Sequence, residues 1–242
     1  MKLDSQNSPE QELNTPLLPD SDVMGESDQD LVSCPGQYAK IRSEVLGALI
    51  ALTEKAKNAG FDLRVASGFR SFERQLLIWN NKAEGLRPVL DEAGRPIVMD
   101  QLSDDEKVFA ILRWSALPGA SRHHWGTDID VYDRSRMPEG YELQLTREET
   151  EGQGPCAEFH RWLTQELQAH PHEFYRPYVA GVGSISPEPW HLSYAPLARI
   201  FATQLTENLL REKLQEADLA LKDSVLKNLH QIYQNYIKPY QL

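Results

Sequence analysis

At 242 residues, with 40% apolar and 25% charged residues, the chain has an ordinary globular composition and is long enough for one sizeable core. A formal net charge of -11 argues against nucleic acid and anionic membrane as partners. No stretch approaches the ~20 apolar residues of a membrane helix, and the N-terminus lacks an apolar segment behind a basic one. Neither membrane insertion nor a secretory signal is therefore expected, and the protein reads as cytoplasmic.

Residues 1–33 are rich in Ser, Pro, Asp, Glu and Gln, and residues 1–30 hold eight acids against the single base Lys2. Their apolar content is too low to offset ordering, so an acidic disordered tail is expected over 1–33. A folded domain then spans 34–195. From Tyr38 to Ala59 the apolar positions Ile41, Val45, Ala48, Leu49, Leu52 and Ala56 form a helical stripe, which Gly60 stops. Phe61 to Val65 alternates like a strand and runs into the turn Ser67-Gly68-Phe69-Arg70-Ser71, which opens a helix over 72–83. Residues 85–102 read as an inserted excursion. Ser103 and Glu106 form a capping-box pattern ahead of Val108, Phe109, Ile111 and Leu112, in a helix that stops before Pro118-Gly119.

Thr127 to Tyr132 alternates again, and a helix over about 156–169 closes at Pro171. Two short strands are expected near 174–179 and 189–194. From Pro196 to Ile237 the leucine-rich chain reads as amphipathic helices, an extension over 196–242 packed on the core. Helices mixed with short antiparallel strands in this order predict an α+β fold. Cys34 and Cys156 fit one disulfide or two inert thiols equally well.

Three clusters carry the chemistry: Ser121 to Asp130, Glu188-Pro189-Trp190-His191, and Ser67 to Ser71. The first offers imidazole and carboxylate, the second a carboxylate three residues before another imidazole. Two His, one carboxylate and an open position suit a catalytic zinc, and a spare carboxylate would serve as its general base. Spacing alone selects neither between His123 and His124 nor among Asp128, Asp130 and Asp133. On a strand, Asp128 and Asp130 would share a face. Taken alone, Arg70 reads as an ion-pair partner at its turn, while Trp125 and Trp190 read as packing walls and Ser121 equally as a turn residue. His124 reads as a supporting residue, and no chemistry is assigned to His160, His170 or His172.

The clusters resemble the zinc D-Ala-D-Ala carboxypeptidases and dipeptidases, the VanY-like group of LAS peptidases. Ser121-x-His123-x-x-Gly126-x-x-x-Asp130 is similar to that group's S-x-H-x-x-G-x-x-x-D. Glu188-x-Trp190-His191 is similar to its E-x-W-H. The third cluster is similar to its S-G-Y-R-S, with Phe69 in place of Tyr and Gln75 also fitting. The resemblance implies one Zn2+ per chain held by His123, Asp130 and His191, with Glu188 as general base. It also implies Arg70 facing the scissile carbonyl, and Ser121, Gln75 and Trp190 binding substrate. The expected activity is hydrolysis of the terminal D-amino acid of a peptidoglycan stem peptide or precursor. An L,D- or endopeptidase of the same fold, or a non-catalytic peptidoglycan-binding zinc module, is the alternative. Asp128 departs from the group, which commonly has a small residue there. It is expected to face the metal pocket or a neighbouring cation, and it could repel a substrate carboxylate.

Overall fold

The computed structural model describes residues 17–169 and 173–241. Residues 1–16 of the expected disordered tail lie outside these, as do His170, Pro171 and His172.

The architecture is α+β. A four-stranded antiparallel sheet runs in the order β3-β4-β6-β5: β3 (Leu63–Ser67), β4 (Asp128–Asp133), β6 (His191–Tyr194), β5 (Phe174–Tyr175). Its alternation is two-sided. Ile129, Val131 and Leu192 point to one face, where they pack with Leu63 and Val65. The helices α2 (Ser43–Asn58) and α6 (Ala157–Ala169) cover that face through Val45, Leu49, Leu52, Phe159 and Leu163. The opposite parity carries Asp128, Asp130, His191 and Ser193, all buried. The helix α2 starts later than its stripe suggests, because Lys40–Arg42 form β2 and pair with β1 (Leu31–Ser33).

A second core is wholly helical. It joins α3 (Phe72–Ala83) and α4 (Asp104–Leu112) to α7 (Ala195–Gln204), α8 (Glu207–Glu216), α9 (Lys222–Lys227) and α10 (Leu229–Ile232). Trp79, Ile111, Phe201, Leu210, Leu214 and Leu229 meet there, each almost wholly buried. Ser71 caps α3, its hydroxyl accepting from the Arg74 N–H at 3.2 Å, and the Ser103–Glu106 capping box opens α4. One more short helix, α5 (Arg147–Thr150), lies between β4 and α6. No helix among the described residues is long and apolar enough to cross a membrane.

Residues 17–33 depart from the expected disorder. The helix α1 (Asp20–Val23) and β1 are built there, and Val23 and Met24 are buried in the helical core. The acidity is compensated by a partner far along the chain: Asp22 accepts a 2.9 Å hydrogen bond from the buried Arg42 guanidinium. Composition over a short window cannot register such contacts. Cys34 and Cys156 are free, buried thiols; burial raises both, Cys156 to about 11.

Candidate metal centre and cleft

The register of the sheet builds the centre. Asp130 on β4 lies directly opposite His191 on β6 and, on its other side, beside Ser67 at the end of β3. Directly opposed residues of an antiparallel pair project from the same face. The choice among the three aspartates follows from parity. Asp133 points to the other face and binds the Asp62 N–H and Ser135. Asp128 shares the face of Asp130 but lies one pair further along, opposite Ser193.

His123 arrives from a 3-10 turn, Arg122–Trp125, which ends at Gly126 with φ +66°. A side chain at 126 would run into Leu31, its Cβ falling 2.8 Å from Cδ2. The turn after β3 is equally constrained. A Cβ at Gly68 would lie 2.3 Å from the Lys40 carbonyl, which accepts the Phe69 N–H at 2.7 Å. Held in this way, the Gly68 carbonyl accepts from His123 Nδ1 at 2.8 Å. A carbonyl is only an acceptor, so Nδ1 carries the proton and Nε2 keeps its lone pair. That Nε2 lies 3.3 Å from Asp130 Oδ2.

His191 is fixed the opposite way round. Its Nε2 donates to Asp128 Oδ1 at 2.9 Å, leaving Nδ1 facing Asp130 Oδ1 at 3.3 Å and Glu188 Oε2 at 3.4 Å. His123, Asp130 and His191 each bring one ligand atom to a common place, all within 4.8 Å of one another. Asp130 Oδ1 is buried without a hydrogen-bond partner. Burial alone would push His191 down, but the carboxylates of Asp128, Asp130 and Glu188 outweigh it and hold the imidazole well above its usual range. Asp130 is held well below the carboxylate range: burial opposes this, but the two imidazoles prevail. The arrangement therefore demands a cation, either a proton on Nδ1 or a metal ion in its place. Two lone-pair nitrogens and an orphaned carboxylate oxygen fit zinc.

His124 serves a different end. Its Nδ1 donates to the Arg70 carbonyl at 2.6 Å, and its Nε2 accepts the Gly119 N–H at 3.0 Å. Burial drives it down to about 3, so it stays a neutral clamp joining two loops. Asp128 is not directed into the cleft as an open charge. It accepts from Arg122 Nε at 2.8 Å and from Thr127 Oγ1 at 2.7 Å, and it titrates at about 2: burial would raise it, but Arg122 and His191 prevail.

The centre lines a cleft of about 750 Å3. Arg70, Glu188, Ser121, Trp190 and Tyr178 line it beside the centre. The Arg70 guanidinium donates to Gln75 Oε1 at 2.9 Å and to Ser67 Oγ at 3.2 Å. Burial lowers its pKa, against the opposing pull of Asp130 and Glu188. Gln75, expected to touch substrate, does not line the cleft. It is buried on α3, where its amide donates to the Ala116 carbonyl at 2.8 Å while its oxygen steadies Arg70. Residues 87, 90 and 92–94 of the excursion and 144–148 also line it.

Three further contributors are not among the residues that the sequence motifs point to. Arg122 stands inside the His123 motif, six residues before Asp128, a charge pair that could have been noticed. Tyr178 packs edge-on to His191, ring centroids 4.7 Å apart, and burial lifts its hydroxyl well above the usual range. Lys82 lines the cleft with Nζ 2.6 Å from Ser115 Oγ, and burial, then Arg87, lower it to about 8. Neither of the latter two belongs to a motif.

Imidazole and carboxylate donors converging in a cleft, with a further carboxylate and a guanidinium alongside, are the parts of a hydrolase that attacks a polarised carbonyl. Residues 38–197 match the family model VanY, D-alanyl-D-alanine carboxypeptidase, and the chain belongs to that family of peptidases. Two uncharacterized proteins of Haemophilus influenzae are similar to it. One is 45% identical over 98 residues, 39% of this chain and 67% of the relative. The other is 34% identical over 124 residues, 50% of this chain and 92% of the relative. Among solved structures, VanYB in complex with D-alanine-D-alanine is 22% identical with a TM-score of 0.49, covering 79% of this chain and 92% of that one. The LD-carboxypeptidase LdcB is likewise 22% identical with a TM-score of 0.49, covering 83% and 79%.

Proposed function

We propose that this chain is a zinc-dependent carboxypeptidase that releases the terminal D-amino acid, D-alanine foremost, from peptidoglycan-type peptides. The observation that carries the reading is the convergence of His123 Nε2, His191 Nδ1 and Asp130 beside a cleft that also presents Glu188 and Arg70. His123, Asp130 and His191 would hold one zinc ion. When bound, zinc supplies Lewis acidity, polarising the scissile carbonyl and easing deprotonation of the attacking water. Glu188 takes that proton and returns it to the leaving amine. Arg70, held by Ser67 and Gln75, meets the charge that develops on the carbonyl oxygen. Ser121 and Trp190 flank the bound peptide. Lys82 and Arg87, also in the cleft, favour a peptide that ends in a free carboxylate.

Zinc stoichiometry, together with D-alanine release from a pentapeptide ending in D-Ala-D-Ala, tests the reading. One zinc per chain with release is expected, and Glu188→Ala should keep the zinc while losing about 100- to 10,000-fold in turnover. Zinc without release from this peptide would point to tetrapeptide or endopeptidase substrates. A chain that binds zinc and cleaves none of these is a binding module. No zinc after reconstitution would overturn the ligand set and the mechanism together.

A further inference from the structure

We propose that Asp128, Arg122 and Tyr240 form a positioning relay that holds His191 from behind and makes the end of the helical extension part of the metal centre. The relay rests on the zinc reading above. Asp128 is fully buried, and its carboxylate is used up by protein donors: His191 Nε2, Arg122 Nε, Thr127 Oγ1, and Ser193 Oγ at 3.2 Å. It therefore acts on the centre only through His191, whose tautomer and ring direction it fixes. Arg122 is as fully engaged. Beyond Asp128 its guanidinium donates to the Tyr240 carbonyl at 2.8 Å, the Tyr175 hydroxyl at 2.8 Å and Ser193 Oγ at 2.7 Å, and it lies 4.6 Å from the centroid of the Trp125 ring. A planar fork with every arm bound leaves the carboxylate one position to occupy.

Tyr240 reaches the centre by a second route. Its ring lies edge-on to Tyr178, centroids 5.0 Å apart, and Tyr178 in turn lies against His191. Its hydroxyl donates to the Val182 carbonyl at 2.7 Å and accepts the Ile185 N–H at 2.9 Å, pinning the loop that leads to Glu188. A Cβ at Gly183 would fall 2.4 Å from that hydroxyl, so the loop has room for Tyr240 only because residue 183 is glycine.

The test is Zn(II) affinity, measured by competition with a chromophoric chelator, and the visible absorption of the Co(II)-loaded protein. Four proteins are compared: the full chain, Asp128→Asn, Thr127→Val, and a chain shortened to end at Pro239. Asp128→Asn should weaken Zn(II) binding roughly 10- to 100-fold and shift the Co(II) bands. The shortened chain and Thr127→Val should change both readouts in the same direction, less strongly. Thr127→Val removes one buried hydroxyl and keeps the shape, so it carries the test if the neutralised Asp128 leaves Arg122 too poorly compensated to fold. Unchanged affinity and an unchanged Co(II) spectrum in the folded variants would overturn the relay alone. Failure of the unaltered full chain to bind either metal would overturn the zinc reading and the relay with it.

Discussion

The part of the cleft lining that holds the centre and the loop-built part contributed by the excursion are built on opposite principles. At the centre, Asp128, Asp130, His123 and His191 are buried, and strand register, glycine turns and carbonyl acceptors fix each ring and carboxylate. The excursion has Arg87, Ala93 and Gly94 exposed and is held by the isolated bridge Leu90–Pro96, the Trp114 bond to the Asp91 carbonyl and surface ion pairs such as Arg95–Asp91; the neighbouring segment 144–151 carries the exposed pair Arg147–Glu151. Pairs of that exposed kind contribute little. On the proposed function, chemistry falls to the closely fixed part and substrate choice to the loop-built part.

If that division holds, changes at the centre should reduce turnover and changes elsewhere along the cleft should alter apparent affinity. The largest effect is expected for Arg70→Met, about 100- to 1000-fold in kcat with KM little changed, measured on a defined D-Ala-D-Ala peptide. A loss confined to KM would place Arg70 on the binding side and blur the comparison. Next comes Lys82→Met, which should raise KM about tenfold for a free-acid peptide, the worth of one charged hydrogen bond, and leave kcat nearly unaltered. Lys82 is lowered to about 8, so its charge is present below that pH and lost above it. KM of the unaltered chain should therefore climb as pH rises through about 8, while that of Lys82→Met stays flat. An amidated peptide should show neither trend. The smallest effect belongs to Glu92→Gln in the excursion, roughly twofold or less in KM and diminishing with added salt. A large change there would show that the excursion is built more firmly than its exposure suggests.

Much of this molecule can be read in its residues. The helix Phe72–Ala83 and the Ser103 capping box sit where local pattern puts them, because caps and apolar spacing are properties of adjacent residues. The mixed α+β class follows from the same signals. Spacing stopped at the aspartates and the paired histidines, since Asp130 is distinguished by its β6 partner and His124 by the Gly119 and Arg70 loops. Residues 17–33 depart from their composition for a related reason. Their order comes from Arg42 and the helical core, and a window of acids and prolines contains neither.

The turn that carries His123 is gripped from both directions of the chain. Asp22 holds Arg42, whose Nε reaches the Trp125 carbonyl at 3.2 Å, and Tyr240 holds Arg122. These two anchors are separated by more than two hundred residues of sequence. A polypeptide leaves the ribosome from its N-terminus at about 5–20 residues per second, so one anchor is available well before the other. The nascent chain can complete its sheet while the His123 turn is still held on one side alone. Grip from both directions then comes only once the turns around Tyr240 have been made, so the His123 turn is set late relative to the sheet it adjoins.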